Sequence, residues 1–170
     1  EYRSDLVAGN NQYIKNGYVF KGWNTKEDGS GDSYQQGDIL DIKEAQTTLY
    51  AQWIATYNVT ILDDGNGVGG ASPTTGIQGT SVQLFATPNV GYHFKEWQIL
   101  SGNVVIIEDA FVIQDQDVII KAIFEQNEYT ITFDSNGGSE VEDQKVKHGY
   151  LAIQPITPIK EGFVFKGWFL

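Results

Sequence analysis

Cysteine and methionine are both absent from this chain of 170 residues, histidine occurs twice and proline four times. Without cysteine there is no disulfide, no thiol nucleophile and no thiolate metal site, so small domains must hold themselves up by packing alone. Without methionine, even at position 1, the chain reads as a piece of something longer. No apolar run approaches the roughly 18 residues of a membrane span. No secretory leader or sorting motif is seen either, so any membrane or wall anchor is expected outside these residues. Bases are scarce: 11 Lys and Arg stand against 22 Asp and Glu, and the net charge of −11 repels nucleic acid, heparin-like polymers and anionic membrane at long range. No window of ten or more residues shows 3.6-residue amphipathicity, so a single short helical turn near residues 153–159 is the most helix to expect.

What is present is a globular composition, 41% hydrophobic and 13% aromatic, arranged in a repeat. Gly17-Tyr18-Val19-Phe20-Lys21-Gly22-Trp23 returns as Gly91-Tyr92-His93-Phe94-Lys95-Glu96-Trp97, 74 residues on, and again after 71 more as Gly162-Phe163-Val164-Phe165-Lys166-Gly167-Trp168. Tyr57-Asn58-Val59-Thr60-Ile61 matches Tyr129-Thr130-Ile131-Thr132-Phe133 at a spacing of 72. Leu49-Tyr50-Ala51-Gln52-Trp53 matches Ile120-Lys121-Ala122-Ile123-Phe124 at 71. One module therefore opens on the Tyr strand, passes through the Gly-aromatic strand and closes on the strand ending in Trp53 or Phe124. Residues 55–127 are expected to hold a complete copy. Residues 1–54 are expected to form a copy without its opening strand, and 128–170 one without its closing strands. Their formal charges are −3, −6 and −2 for the first, middle and last copies, so the acidity is spread along the chain.

Within a module, aromatic and β-branched residues alternate at 57–62 and at 129–133, and each run meets a Gly- and Asn-rich turn. Residues 81–86 form a second strand that Thr87-Pro88-Asn89 should break. The Gly-aromatic strand follows, and residues 104–107 and 118–124 add two more, giving mainly β modules of about five short strands. With a period of two, Tyr18 and Phe20 should share the core face, while Val19, Lys21 and Trp23 share the other. Lys21 would then lie across the Trp23 ring, a cation–π contact worth about 0.5–1 kcal/mol at an exposed site. The joints between copies are very short: Trp53 and Tyr57 are four residues apart, Phe124 and Tyr129 five. Neighbouring copies should therefore be directionally constrained rather than flexibly linked.

The motifs Tyr129-Thr130-Ile131-Thr132-Phe133-Asp134-Ser135-Asn136-Gly137-Gly138, Lys160-Glu161-Gly162-Phe163-Val164-Phe165-Lys166-Gly167-Trp168 and Thr48-Leu49-Tyr50-Ala51-Gln52-Trp53 resemble the Listeria/Bacteroides repeat, the B-repeat of internalin-type surface proteins. The middle copy departs at Glu96, at Phe124 and in its longer Gly-rich stretch, and is similar to the divergent class of that repeat. The resemblance implies β-grasp-like modules strung in tandem on secreted or wall-anchored bacterial proteins, extracellular, as spacers and in some cases adhesive elements for a host protein or glycan. It implies no catalysis and no cofactor.

Several residue groups invite sharper readings. Asp63-Asp64, or Glu140 with Glu142 and Asp143, could pair as acid and base, yet they sit in or beside Gly-rich turns where carboxylates are normally solvated. His93 and His148 have no ligand-type partner at metal spacing. Asp28-Gly29-Ser30-Gly31-Asp32 has the oxygens of a calcium loop but no closing bidentate Glu. Gly65, Gly67 and Gly70 spell a dinucleotide fingerprint with no helix after it. Asn58 begins a glycosylation sequon inside a strand. No catalytic, cofactor-binding or metal-ligating residue is therefore assigned. The repeated Trp and Tyr residues are read as core, because a spacer needs its core in every copy and a sugar-stacking site only once. The incomplete terminal copies are expected to leave sheet edges prone to self-association.

Overall fold

The computed structural model describes residues 8–9, 12–40 and 47–169. They form eleven strands and, among the described residues, no helix. The strands are β1 (Tyr18–Asn24), β2 (Ser33–Tyr34), β3 (Tyr50–Asp63), β4 (Gly67–Ser72), β5 (Thr75–Ile77), β6 (Ser81–Pro88), β7 (Tyr92–Ser101), β8 (Ala110–Val112), β9 (Val118–Gln126), β10 (Glu128–Ile131) and β11 (Gln144–Lys147). One sheet runs β2-β1-β3-β9-β7 with β5 also on β3, a second runs β4-β6-β8, and β10-β11 is a hairpin. The chain is thus mainly β, in several small sheets.

Two compact units share these strands. One comprises the residues through Thr60 with Ala71–Leu84 and Ile99–Ile120. It contains β1, β2 and the first part of β3, and its core is Val59, Val82, Leu84, Val104, Phe111, Ile113, Val118 and Ile120. The other comprises Ile61–Gly70, Phe85–Gln98 and Lys121–Leu170, with Ala122 and Phe124 buried.

The middle copy uses more strands than its sequence suggests. β4 is a glycine-rich strand that propensity alone would make a loop, and β5 and β8 are three residues each. Pro88 closes β6 instead of breaking it earlier, and residues 104–107 are not a strand. There Val104 is buried, while Ile107 makes a single bridge to Ala110 around a turn in which Glu108 and Asp109 have positive φ.

The last copy begins in the register of the middle one. Tyr57 pairs with Gly76 as Tyr129 pairs with Val146, and each hairpin leaves through a positive-φ glycine, Gly79 or Gly149. Thereafter the two diverge. Residues 151–158, the counterpart of β6, form no strand; Pro155 and Pro158 lack amide donors, and the expected helical turn is absent as well. The Gln144 side-chain amide brackets the backbone of Ile153 instead, donating to its carbonyl (2.8 Å) and accepting from its amide (3.0 Å). Residues 163–169 are likewise not a strand, whereas their counterparts are β1 and β7.

Candidate functional site

The Gly-aromatic motif has one geometry in all three copies. Its first glycine has positive φ, 77° at Gly17, 84° at Gly91 and 76° at Gly162. The next amide closes the turn onto the residue two before that glycine: Tyr18 to Lys15 (3.0 Å), Tyr92 to Asn89 (3.0 Å), Phe163 to Lys160 (3.1 Å). The Phe and Trp then meet, at 5.2 Å for Phe20–Trp23, 4.9 Å for Phe94–Trp97 and 5.2 Å for Phe165–Trp168.

This overturns the period-two expectation that places Phe20 and Trp23 on opposite faces. The ladder between β1 and β3 slips between Phe20 and Gly22, so Lys21 is an extra residue and Trp23 rotates onto the Phe20 face. Gly22 (φ 148°) allows it, since a Cβ there would lie 2.9 Å from the Tyr34 carbonyl oxygen. The closing strand completes the cluster through Trp53 (5.6 Å from Phe20) or Phe124 (6.0 Å from Phe94). The cation–π partners are consequently different from those expected. Lys15 lies over Tyr18 (4.0 Å) and Lys160 over Phe163 (4.8 Å), while Lys95 pairs with Glu125 (3.3 Å).

Asn24, only 1% exposed, is the polar residue that sequence reasoning missed. Its Nδ2 donates to the Gly29 and Gly31 carbonyls and to Ser33 Oγ, each at 3.0 Å. Its Oδ1 accepts the amides of Lys26 (2.8 Å) and Gly31 (3.0 Å). The Asp28–Asp32 stretch considered for calcium is therefore folded around an amide side chain. Asp28 caps the Ser30 amide, and that bond holds its carboxyl below the usual range.

The other carboxylates do structural work too. Asp64 Oδ2 accepts the Phe124 amide (3.0 Å) and Oδ1 the Asn66 amide (3.0 Å); the Phe124 bond lowers its pKa most. Asp63 caps Gly65, and Asp143 accepts from Thr132 (3.3 Å), with Glu142 exposed beside it. Among the described residues no three His, Asp or Glu side chains could hold one metal ion. Of the glycines that spelled a nucleotide fingerprint, Gly67 and Gly70 face aromatic rings, Phe124 and Phe85, while Gly65 faces open space; a side chain at the neighbouring Gly69 would strike Ile61 and Ala122.

The two joints are the most organised feature. At the first, β3 runs unbroken from Tyr50 to Asp63, so residues between Trp53 and Tyr57 are strand, and the Thr56 amide donates to the Gly17 carbonyl (2.8 Å). At the second, only Asn127 separates β9 from β10, and its amide donates to the Gly91 carbonyl (2.8 Å), the equivalent bond. Both histidines sit here. His93 Nδ1 bonds Asn127 Oδ1 (2.8 Å), the His148 amide donates to the Asn127 carbonyl (2.8 Å), and the His148 ring fills the space beside Gly91.

The Listeria-Bacteroides repeat domain matches residues 2–52 and 129–170, and the divergent InlB B-repeat domain matches residues 57–128. A Gly-rich membrane protein of Evansella cellulosilytica is 38% identical over 99% of this chain and 20% of its own length. A second membrane protein of that organism is 33% identical over 91% of the chain and 23% of its own. Internalin H of Listeria monocytogenes is 39% identical over 32% of the chain and 10% of its own. The chain thus spans less than a quarter of each of these relatives. No solved structure matches it. Motif geometry, joints and matches agree: the chain belongs to the Listeria-Bacteroides repeat family, with a divergent InlB B-repeat between two repeats of the first kind.

Proposed function

We propose that this chain is part of an extracellular stalk, a non-catalytic spacer that holds another domain away from a bacterial cell wall, with repeats at 1–54, 55–127 and 128–170. The observation that carries this reading is the pair of joints. A coil of a few residues swivels, whereas a strand with bonded amides fixes the direction in which the next repeat leaves. The repeat family and the names of the relatives, membrane proteins and an internalin, support a surface location. The absence of cysteine makes a direct test convenient. Spin labels on Lys26→Cys and Asp115→Cys, on either side of the first joint, should give one narrow distance distribution that broadens when Ile54-Ala55 is replaced by Gly-Ser. A broad distribution in the unaltered joint would sink the proposal.

One observation favours an adhesive role alongside it: the Phe85 ring lies over Gly70 and remains 55% exposed, a flat platform of the kind that stacks on sugar faces. Saturable binding of the chain to host cells or a glycan panel, lost in Phe85→Ala, would establish it; unsaturable binding leaves the spacer alone.

A further inference from the structure

The dipeptide Asn-Gly occurs three times, at 16–17, 66–67 and 136–137, and the fold gives each a different setting. Asparagine before glycine is the pairing most open to attack by a backbone nitrogen on the neighbouring side-chain amide, because glycine has no Cβ to hinder the approach. Asn66 and Gly67 are closed to it. Gly67 is buried at the start of β4 with the Phe124 ring against it. Asn66 is fixed on both sides, its amide donating to Asp64 Oδ1 (3.0 Å) and its carbonyl accepting from the Asn89 amide (2.9 Å). Asn16 and Gly17 are exposed, but the bond from Tyr18 to Lys15 closes their turn and the Thr56 amide holds the Gly17 carbonyl.

Asn136 and Gly137 are exposed in the segment between β10 and β11, with φ of 50° and 81°. The Gly137 N–H meets no acceptor among the described residues. The carbonyl of the same peptide, that of Asn136, accepts a hydrogen bond from Lys160 Nζ (2.8 Å). The ammonium is pinned there, 4.8 Å from the centre of the Phe163 ring and beside Gly137. A cation on a peptide oxygen draws electron density from the amide and stabilises its deprotonated form, in which the negative charge sits on that oxygen. The nitrogen of that form is the nucleophile such an attack requires.

We propose that Asn136-Gly137 is a self-modifying site, at which Lys160 activates the Gly137 nitrogen against the Asn136 side-chain amide. The nitrogen bonds to Asn136 Cγ, the Cγ–Nδ2 bond breaks, and Nδ2 leaves as ammonia with the proton that Gly137 gave up. The succinimide ring so formed is opened by water. Addition at Cγ leaves aspartate in the original backbone, and addition at the backbone carbonyl leaves isoaspartate, in which the chain runs through Cγ. Either product puts one more negative charge beside Asp134, on a chain that already carries −11. The isoaspartyl product also lengthens the turn by a methylene. Water is the one co-reactant, and the inference does not rest on the spacer or the adhesive reading.

Prolonged incubation of the full chain near neutral pH, followed by peptide mapping in a mass spectrometer, tests it. The peptide holding Asn136 should gain about 1 Da, and a methyltransferase specific for isoaspartate should label it. Conversion there should run about fivefold ahead of that at Asn16, and Asn66 should stay unchanged. Lys160→Gln separates activation from support. A lysine that only braced the turn would free it on removal and speed conversion, whereas loss of an activating charge slows conversion about fivefold, and Lys160→Arg restores most of the rate. Conversion at Asn16 or Asn66 ahead of Asn136, or a Lys160→Gln variant that converts as fast as the unaltered chain or faster, overturns the proposal.

Discussion

The middle and last copies start from the same hairpin register and carry the same Gly-aromatic motif, yet only the middle one has a core. Leu84 on β6 is 2% exposed, while Leu151, in the matching stretch of the last copy, is 94% exposed. In the middle copy β6 lies between β4 and β8, and β9 lies between β3 and β7. Beyond Phe124, only Pro158 among the described residues is buried. The Phe165–Trp168 contact nonetheless persists without any strand. The pair is not held by local sequence alone, because the Phe133 ring lies 5.1 Å from that of Trp168; the strand appears in the copies where a closing strand binds beside it.

If that contrast is right, removing core side chains should separate the copies most. Ile120→Ala, at a fully buried position, should cost about 3 kcal/mol in urea unfolding. Leu151→Ala should cost less than about 0.5 kcal/mol. Next comes Asn24→Ala, which strands buried carbonyls and amides and should cost about 2 kcal/mol. Hydrogen exchange at Gly31 should rise with it, with the last copy unaffected.

A finer contrast lies in the motif glycine. Alanine at Gly162 meets open space and bears only the left-handed backbone penalty of about 1 kcal/mol. At Gly91 the same change also drives a methyl into the His148 ring, so the loss should be larger and partly relieved by His148→Ala.

The smallest effect is the pH dependence that Asp64 brings to the middle copy. The Phe124 amide holds the Asp64 carboxyl below its ordinary value, so its stabilisation is complete above about pH 4 and fades as pH falls through the folded-state value. The difference in urea midpoint between the chain and Asp64→Asn should shrink toward zero in acid. In the last copy Asp134 caps the Asn136 amide (2.8 Å) as Asp64 caps that of Asn66.

The period, the opening and closing strands and the glycine turn were legible because they depend on residues neighbouring in sequence. The Trp23 face was not, since alternation assumes an unbroken ladder and a bulge at Lys21 resets it. β4 was unreadable for a related reason. Its glycines lower strand propensity, and what they gain, room for the Phe124 and Phe85 rings, comes from residues far along the chain. Asn24 resembled any turn asparagine because its four partners, Lys26, Gly29, Gly31 and Ser33, lie within a loop whose path only the fold defines. Short joints were legible as well, and the structure places at each an amide, Thr56 or Asn127, bonded to a motif-glycine carbonyl.

Those two amides offer the most direct test of whether the joints are folded structure. Thr56 and Asn127 should exchange with solvent as slowly as amides in β9, because each is held by a motif-glycine carbonyl. Exchange at either site at the rate of an open linker would contradict it.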